Sequence, residues 1–198
     1  MVSAGAGNKK AFGLDRSSNS WADLKHTELI VVTGANVSEC FPVLTHNIWE
    51  ARDNGAKLIV IDPREIPLAR TADLHLPLRP GTDSALMNTI LKVMIDEDWL
   101  DHDFISKHTS GFAAAADAVS ECSLAWGASV TGLPEELIYK AAALWGKAKT
   151  SFLMHARGIE HQSKGVQNVS SCINLVLASG RLGKSYCGYG TITGQGNG

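Results

Sequence analysis

Two continuous apolar runs constrain this chain most. "ELIVVTG", residues 28–34, sets Ile30, Val31 and Val32 side by side and stops at Gly34, and "AKLIVIDPR", residues 56–64, repeats the pattern and stops at Pro63. Neither run alternates apolar with polar residues. A strand built from either one therefore buries both faces, as strands do inside a parallel sheet. Between the runs Phe41, Leu44, Ile48 and Ala51 recur at helical spacing, and "DNG" closes that helix. Strand, helix and strand in about 35 residues make a βαβ unit.

The rest of the chain continues the alternation. "ADLHLPL" (72–78) and "TSFLMHA" (150–156) read as a third and a fourth strand. A helix is predicted after "RPGTD", with Asp83 or Ser84 as N-cap and Leu86, Ile90, Val93 and Met94 on one face. Another is predicted over 133–148, with Pro134 near its first turn and Glu135 and Glu136 complementing its dipole. A third covers 166–180, with Val169, Ile173, Val176 and Leu177 inward and Gly180 as its stop. "DEDWLDHDFISKHTSGF" (96–112) reads as a polar, aromatic-studded connector. The fold class is α/β: a doubly wound, Rossmann-like parallel sheet with helices on both faces.

Composition excludes several classes of function. Of 198 residues 44% are hydrophobic and 19% charged, which describes a globular chain with a real core. The net charge of −2 gives no electrostatic ground for binding nucleic acid or a membrane surface. Cys40, Cys122, Cys172 and Cys187 form no CxxC pair, so they specify no zinc or cluster site, and their sparseness fits a reducing compartment. No apolar run reaches the length of a membrane span, and "MVSAGAGNKK" lacks the apolar centre of a signal peptide. "GYGTITGQGNG" reads either as a tail or as an interior stretch of a longer protein. It looks like a phosphate loop, but no strand is predicted before it and no helix follows.

Ligands of such folds bind at the carboxyl ends of the strands. After the first strand come Thr33, Gly34, Ala35, Asn36, Ser38 and Glu39. Gly34 permits a tight turn, and the next helix offers free N–H groups to an anion. With one glycine this is not GxGxxG, and a plain strand-to-helix turn fits as well. After the second come Asp62, Pro63 and Arg64, where an acidic residue holds a ribose hydroxyl; a solvated turn aspartate is the alternative. After the third come Gly81, Thr82 and Asp83, whose carboxylate could accept both N–H groups of a guanine edge or simply cap the helix. After the fourth, "HARGIEHQSKGVQ" brings Arg157, Gly158 and His161, with His155 and Lys164 nearby. Arg157 and Lys164 suggest anion contact. His155 and His161 are poorly spaced for a metal on one helix face.

Taken together, "TGAN…E", "IDPR", "LRPGTD", "DEDWLDHDFISKHTSGF", "TGLPEELI", "ARGIEHQSKGVQ" and "SGRLGKSYCGYGTITGQGN" resemble the molybdopterin oxidoreductases of the dimethyl sulfoxide reductase superfamily, nearest the branch of nitrate reductases and formate dehydrogenases. The resemblance implies a several-fold longer enzyme. It would carry two molybdopterin guanine dinucleotides on one molybdenum or tungsten, and usually an N-terminal [4Fe–4S] cluster. It further implies that Gly81 to Asp83 meet the guanosine end, with Asp83 reading guanine. Thr33 to Cys40 would wrap pyrophosphate and ribose, Asp62 and Arg64 would contact ribose and phosphate, and Arg157 to Gln162 would approach the pterin. The chain departs from the common Met-Gly-x-x-Gln-His pattern with Arg157-Gly158-Ile159-Glu160-His161-Gln162, which points to a different substrate environment.

In that family a metal-ligating Cys or selenocysteine stands directly before the residues matching "MVSAGAG", and the cluster cysteines lie further upstream. The chain is therefore expected to be a fragment, inactive alone. Residues 1–155 would bind one dinucleotide, with 1–27 as a leading segment from the active-site side, and 156–198 would start an adjacent cofactor domain. The whole enzyme would act on nitrate or formate, in the cytoplasm or periplasm, with no nucleic acid partner and no membrane span. The alternative is a non-catalytic Rossmann-type nucleotide-binding module. A nicotinamide binder of that type would carry GxGxxG where this chain has "TGANVSE".

Overall fold

The computed structural model describes residues 2–192. Five strands form one wholly parallel sheet: β1 (Leu29–Thr33), β2 (Lys57–Ile61), β3 (Leu74–Leu76), β4 (Ser151–His155) and β5 (Gly188–Thr191), in the order β3-β2-β1-β4-β5. The helices are α1 (Val2–Phe12), α2 (Val37–Cys40), α3 (Pro42–Asp53), α4 (Asp83–Asp96), α5 (His102–His108), α6 (Phe112–Ala118), α7 (Leu124–Thr131), α8 (Glu135–Lys147), α9 (Arg157–Glu160) and α10 (Gly165–Ala178). Among the described residues no helix is long and apolar enough to cross a membrane.

The unbroken apolar runs have the cause expected of them. Leu29 and Val31 of β1, Ile59 and Ile61 of β2 and Leu153 of β4 point into one core with Leu86 of α4, Ile138 of α8 and Val169 of α10. Ile30, Val32, Leu58, Val60 and Met154 point the other way, into a second core with Leu24, Ile48 and Ala51. Both faces of the sheet are covered, so every position of β1 and β4 is buried. The winding reverses beside β1: β2 and β3 extend to one side, β4 and β5 to the other. That reversal is the topological switch point, where open α/β sheets leave a crevice.

The structure departs from the sequence reading in four places. The connector after Asp96 is helical. Asp101 caps α5, its carboxylate accepting the Phe104 N–H at 2.9 Å, and Ser123 caps α7, accepting the Trp126 N–H at 3.2 Å. These helices are short, and α6 buries no residue, so no apolar stripe announces them. The amphipathically weak α1 was likewise unmarked, yet it packs on α10. The N-cap also differs: α4 begins at Asp83, and Thr82 in the capping position donates its hydroxyl to the Arg79 carbonyl at 2.6 Å.

The fourth departure is β5. The glycines of "GYG" belong to an edge strand, and aromatic rings pack close against its backbone. A Cβ at Gly188 would come within 2.5 Å of the Phe152 ring, and one at Gly190 within 2.5 Å of the Trp21 ring. Tyr189 between them points to the opposite face and is buried. β5 is fastened to an early part of the chain: the Tyr189 N–H donates to Ser18 Oγ at 2.8 Å, and the Ser18 N–H donates to the Tyr189 carbonyl at 3.2 Å. β5 pairs with β4, and α10 packs on α1 and α4, so residues on both sides of 155 contribute to one sheet and its covering helices. The glycines beyond Ile192 lie outside the described residues.

Leu153 is fully buried in β4, which lies between β1 and β5. Leu153→Ala should lower unfolding stability by about 2–5 kcal/mol, read by urea denaturation. Val43→Ala, at a site 85% exposed on α3, should change it by less than about 0.5 kcal/mol.

Candidate functional site

The site is the crevice at the switch point, and its floor is backbone. Gly34, just past β1, sits at φ +58°, and its N–H donates to the Ile61 carbonyl at 2.9 Å. The Gly158 N–H, just past β4, donates to the Gly34 carbonyl at 2.9 Å. A Cβ on Gly34 would come within 2.9 Å of Gly158 backbone atoms, and a Cβ on Gly158 within 2.6 Å of the Gly34 Cα. Neither neighbour is a flexible side chain, so neither can yield. The two loops touch only because both residues lack side chains.

Above this floor lies a cleft with a volume of about 570 Å³, within the range of small-molecule sites. Gly34, Ala35 and Asn36 line it from the first loop, Asp62, Pro63 and Arg64 from the second. Pro80 and Asp83 line it from the third, and Arg157, Gly158 and Gln162 from the fourth. All four strand-end loops therefore meet in one place. A larger cavity of about 760 Å³ lies against α1, α5 and α10, and none of these four loops reaches it.

Two carboxylates anchor the cleft. Asp62 Oδ1 accepts the Arg64 N–H at 2.9 Å, which holds the turn, and the Asp62 carbonyl is bonded to His75 Nε2 at 2.9 Å. The Arg64 guanidinium stays exposed, its Nε 3.9 Å from Asp62 Oδ1. Asp83 is only 6% exposed. Its Oδ2 accepts a hydrogen bond from Gln162 Nε2 at 2.9 Å. Burial pushes its carboxyl above the usual range; the Gln162 bond and its own N–H oppose this, while the Asp62 charge adds to it.

Other sequence-predicted residues stand outside the lining. Thr33 is buried. Ser38 Oγ donates to Asn36 Oδ1 at 3.4 Å, and Glu39 is exposed. Gly81 and Thr82 shape the turn before α4, and His161 is exposed. Arg79, conspicuous in "RPGTD", serves the fold: its Nη1 donates to the Ser129 carbonyl at 2.8 Å, capping the end of α7.

Beneath the fourth loop lies a buried polar group that no sequence pattern suggested. His155 Nε2 and the Tyr189 hydroxyl are hydrogen-bonded at 2.5 Å, and His155 Nδ1 is 3.7 Å from Glu160 Oε1. The other oxygen of the buried Glu160 accepts from Arg157 Nη1 at 2.9 Å, which tethers the guanidinium at the cleft. Burial brings the His155 imidazole from its ordinary 6.5 to about 4, with the Glu160 charge opposing. His155 and His161 do not converge, and among the described residues no His, Cys, Asp and Glu cluster could hold a metal. Gln162 was expected only to approach a pterin; its bond to Asp83 had no sequence signal.

A family model described as molybdopterin oxidoreductase matches residues 3–197. The chain belongs to the molybdopterin oxidoreductase family. It is 41% identical to an assimilatory nitrate reductase catalytic subunit of Bacillus subtilis (strain 168), over all of this chain and 28% of that protein. It is 37% identical to an F420-dependent formate dehydrogenase 2 subunit alpha of Methanococcus maripaludis, over 95% of this chain and 28% of that one. Acetylene hydratase from Pelobacter acetylenicus shares the fold with a TM-score of 0.80 and 30% identity, over 90% of this chain and 24% of that chain. The chain thus spans about 28% of the length of each of these two curated relatives. Membership of the family implies a molybdopterin cofactor carrying molybdenum or tungsten.

His155 makes stability pH-dependent. Its pKa in the folded state lies below its unfolded value, so its contribution is complete above about pH 6.5 and is lost as pH falls from there toward 4. Unfolding free energy should drop by on the order of 3 kcal/mol across that window on its account. Chemical denaturation of wild type and His155→Gln at stepped pH checks this. The variant should show a flatter profile, and parallel profiles would show that His155 does not titrate this way.

Proposed function

We propose that this chain is the part of an oxidoreductase catalytic subunit that holds one molybdopterin guanine dinucleotide, with Asp83 reading the guanine. One observation carries the reading: a buried carboxylate at the cleft whose neighbouring partner is a primary amide. Guanine presents a ring N–H and an amino group on one edge, and an aspartate accepts both. The residues around it fit the rest of the ligand. The side-chain-free floor at Gly34 and Gly158 admits close backbone approach. Asp62 stands at the end of β2, where such folds hold a ribose, and the exposed guanidinium of Arg64 suits a phosphate.

The bound metal would supply two-electron chemistry, while this chain supplies binding and orientation. Arg157, tethered by Glu160, fixes a cation at the cleft in place of the family's common methionine. The relatives' names support nitrate or formate as substrate of the complete enzyme. The cleft is also compatible with a plain nucleotide-binding module, but the family match favours the redox enzyme.

In the full-length enzyme, Asp83→Asn should lower cofactor occupancy about tenfold, since a charge-assisted hydrogen bond contributes about 1.5–3 kcal/mol. Molybdenum and guanine content per folded protein reads this out, with the melting temperature of the cofactor-free form as control. Undiminished occupancy would remove Asp83 from the site.

A further inference from the structure

Asp83 lines the cleft, but one of its carboxylate oxygens is already engaged by Gln162. Asp83 is almost wholly covered, and the Gln162 amide nitrogen donates to its Oδ2 at 2.9 Å and also to the Gly158 carbonyl. A carboxylate accepts and never donates when ionised, so only the NH2 end of Gln162 can face it. That NH2 group presents to Asp83 the same donor chemistry as the amino edge of guanine. Gln162 is itself half-buried and lines the cleft, so it can swing clear without disturbing either core.

We propose that Gln162 is a stand-in for the base: it occupies the guanine-reading carboxylate until the nucleotide displaces it, and so sets both the affinity and the base selectivity of loading. This rests on the guanine reading above. Three features follow from the geometry. The stand-in keeps a buried carboxylate satisfied until a nucleotide takes its place, which avoids leaving an unpaired charge out of water. It discriminates, because only a base offering donors to Asp83 regains what breaking the Gln162 bond costs; an adenine edge, which faces the carboxylate with a ring acceptor beside its amino group, does not. It also links the two ends of the cleft. Gln162 bridges the loop after β3 to the loop after β4, so its displacement releases a tie on Gly158, next to Arg157.

The test uses the cofactor-free protein with GDP, IDP and ADP as probes, titrated by calorimetry. IDP keeps the ring N–H and lacks the exocyclic amino group. Wild type should bind GDP more tightly than IDP, and IDP more tightly than ADP. Gln162→Ala should tighten GDP by about tenfold, the worth of the charge-assisted bond no longer broken on binding, and should leave ADP unchanged. Gln162→Met, which keeps the length and the apolar stem, should behave like the alanine variant and covers the case in which alanine fails to fold. Weaker GDP binding in these variants would make Gln162 a ligand contact and overturn the proposal, as would unchanged GDP binding. A wild type that does not distinguish GDP from ADP would instead overturn the guanine reading itself, and this inference with it.

Discussion

The close approach of Gly34 to Gly158 is the contact on which the site depends. Each follows a strand that the sheet holds in fixed register, Thr33 beside His155. The chain must turn sharply after both strands, and both turns occupy the same space above the switch point. A methyl group on either would enter the backbone of the other. With none, an N–H to carbonyl bond joins the loops directly. Rigid strands then meet rigid loops with no side chain interposed, and the lining residues inherit positions set by the sheet.

Much of the fold was legible because burial on both faces of a parallel sheet leaves a strong mark. β1, β2 and β4 appear as runs of Ile, Val, Leu and Phe that no solvent-facing strand would carry. α4, α8 and α10 show one-sided apolar spacing because each covers one face of the sheet. What escaped reading lacks such a mark. α5, α6 and α7 lie at the periphery and bury little. β5 was hidden by its glycines, which read as loop until the rings of Phe152 and Trp21 explain them.

The candidate site divides the same way. The strand-end positions of Gly34, Asp62 and Asp83 could be inferred, since topology alone brings strand ends together. Contacts between side chains far apart in sequence could not. The bond from Gln162 to Asp83 spans 79 residues, and that from His155 to Tyr189 spans 34. No local pattern encodes either. His155 could even be mistaken for a ligand from its neighbours in sequence, whereas its burial makes it a neutral strut under the loop that carries Arg157.

The paired hydrogen bonds between Ser18 and Tyr189 have a mechanical meaning. Ser18 and Tyr189 stand 171 positions apart, so the chain that builds the sheet and all four loops leaves and returns to one spot. A pull on β5 therefore loads the Ser18–Tyr189 clasp and the pairing with β4 first. Gly158 follows the next strand in and Gly34 the strand after that, so the floor lies behind both.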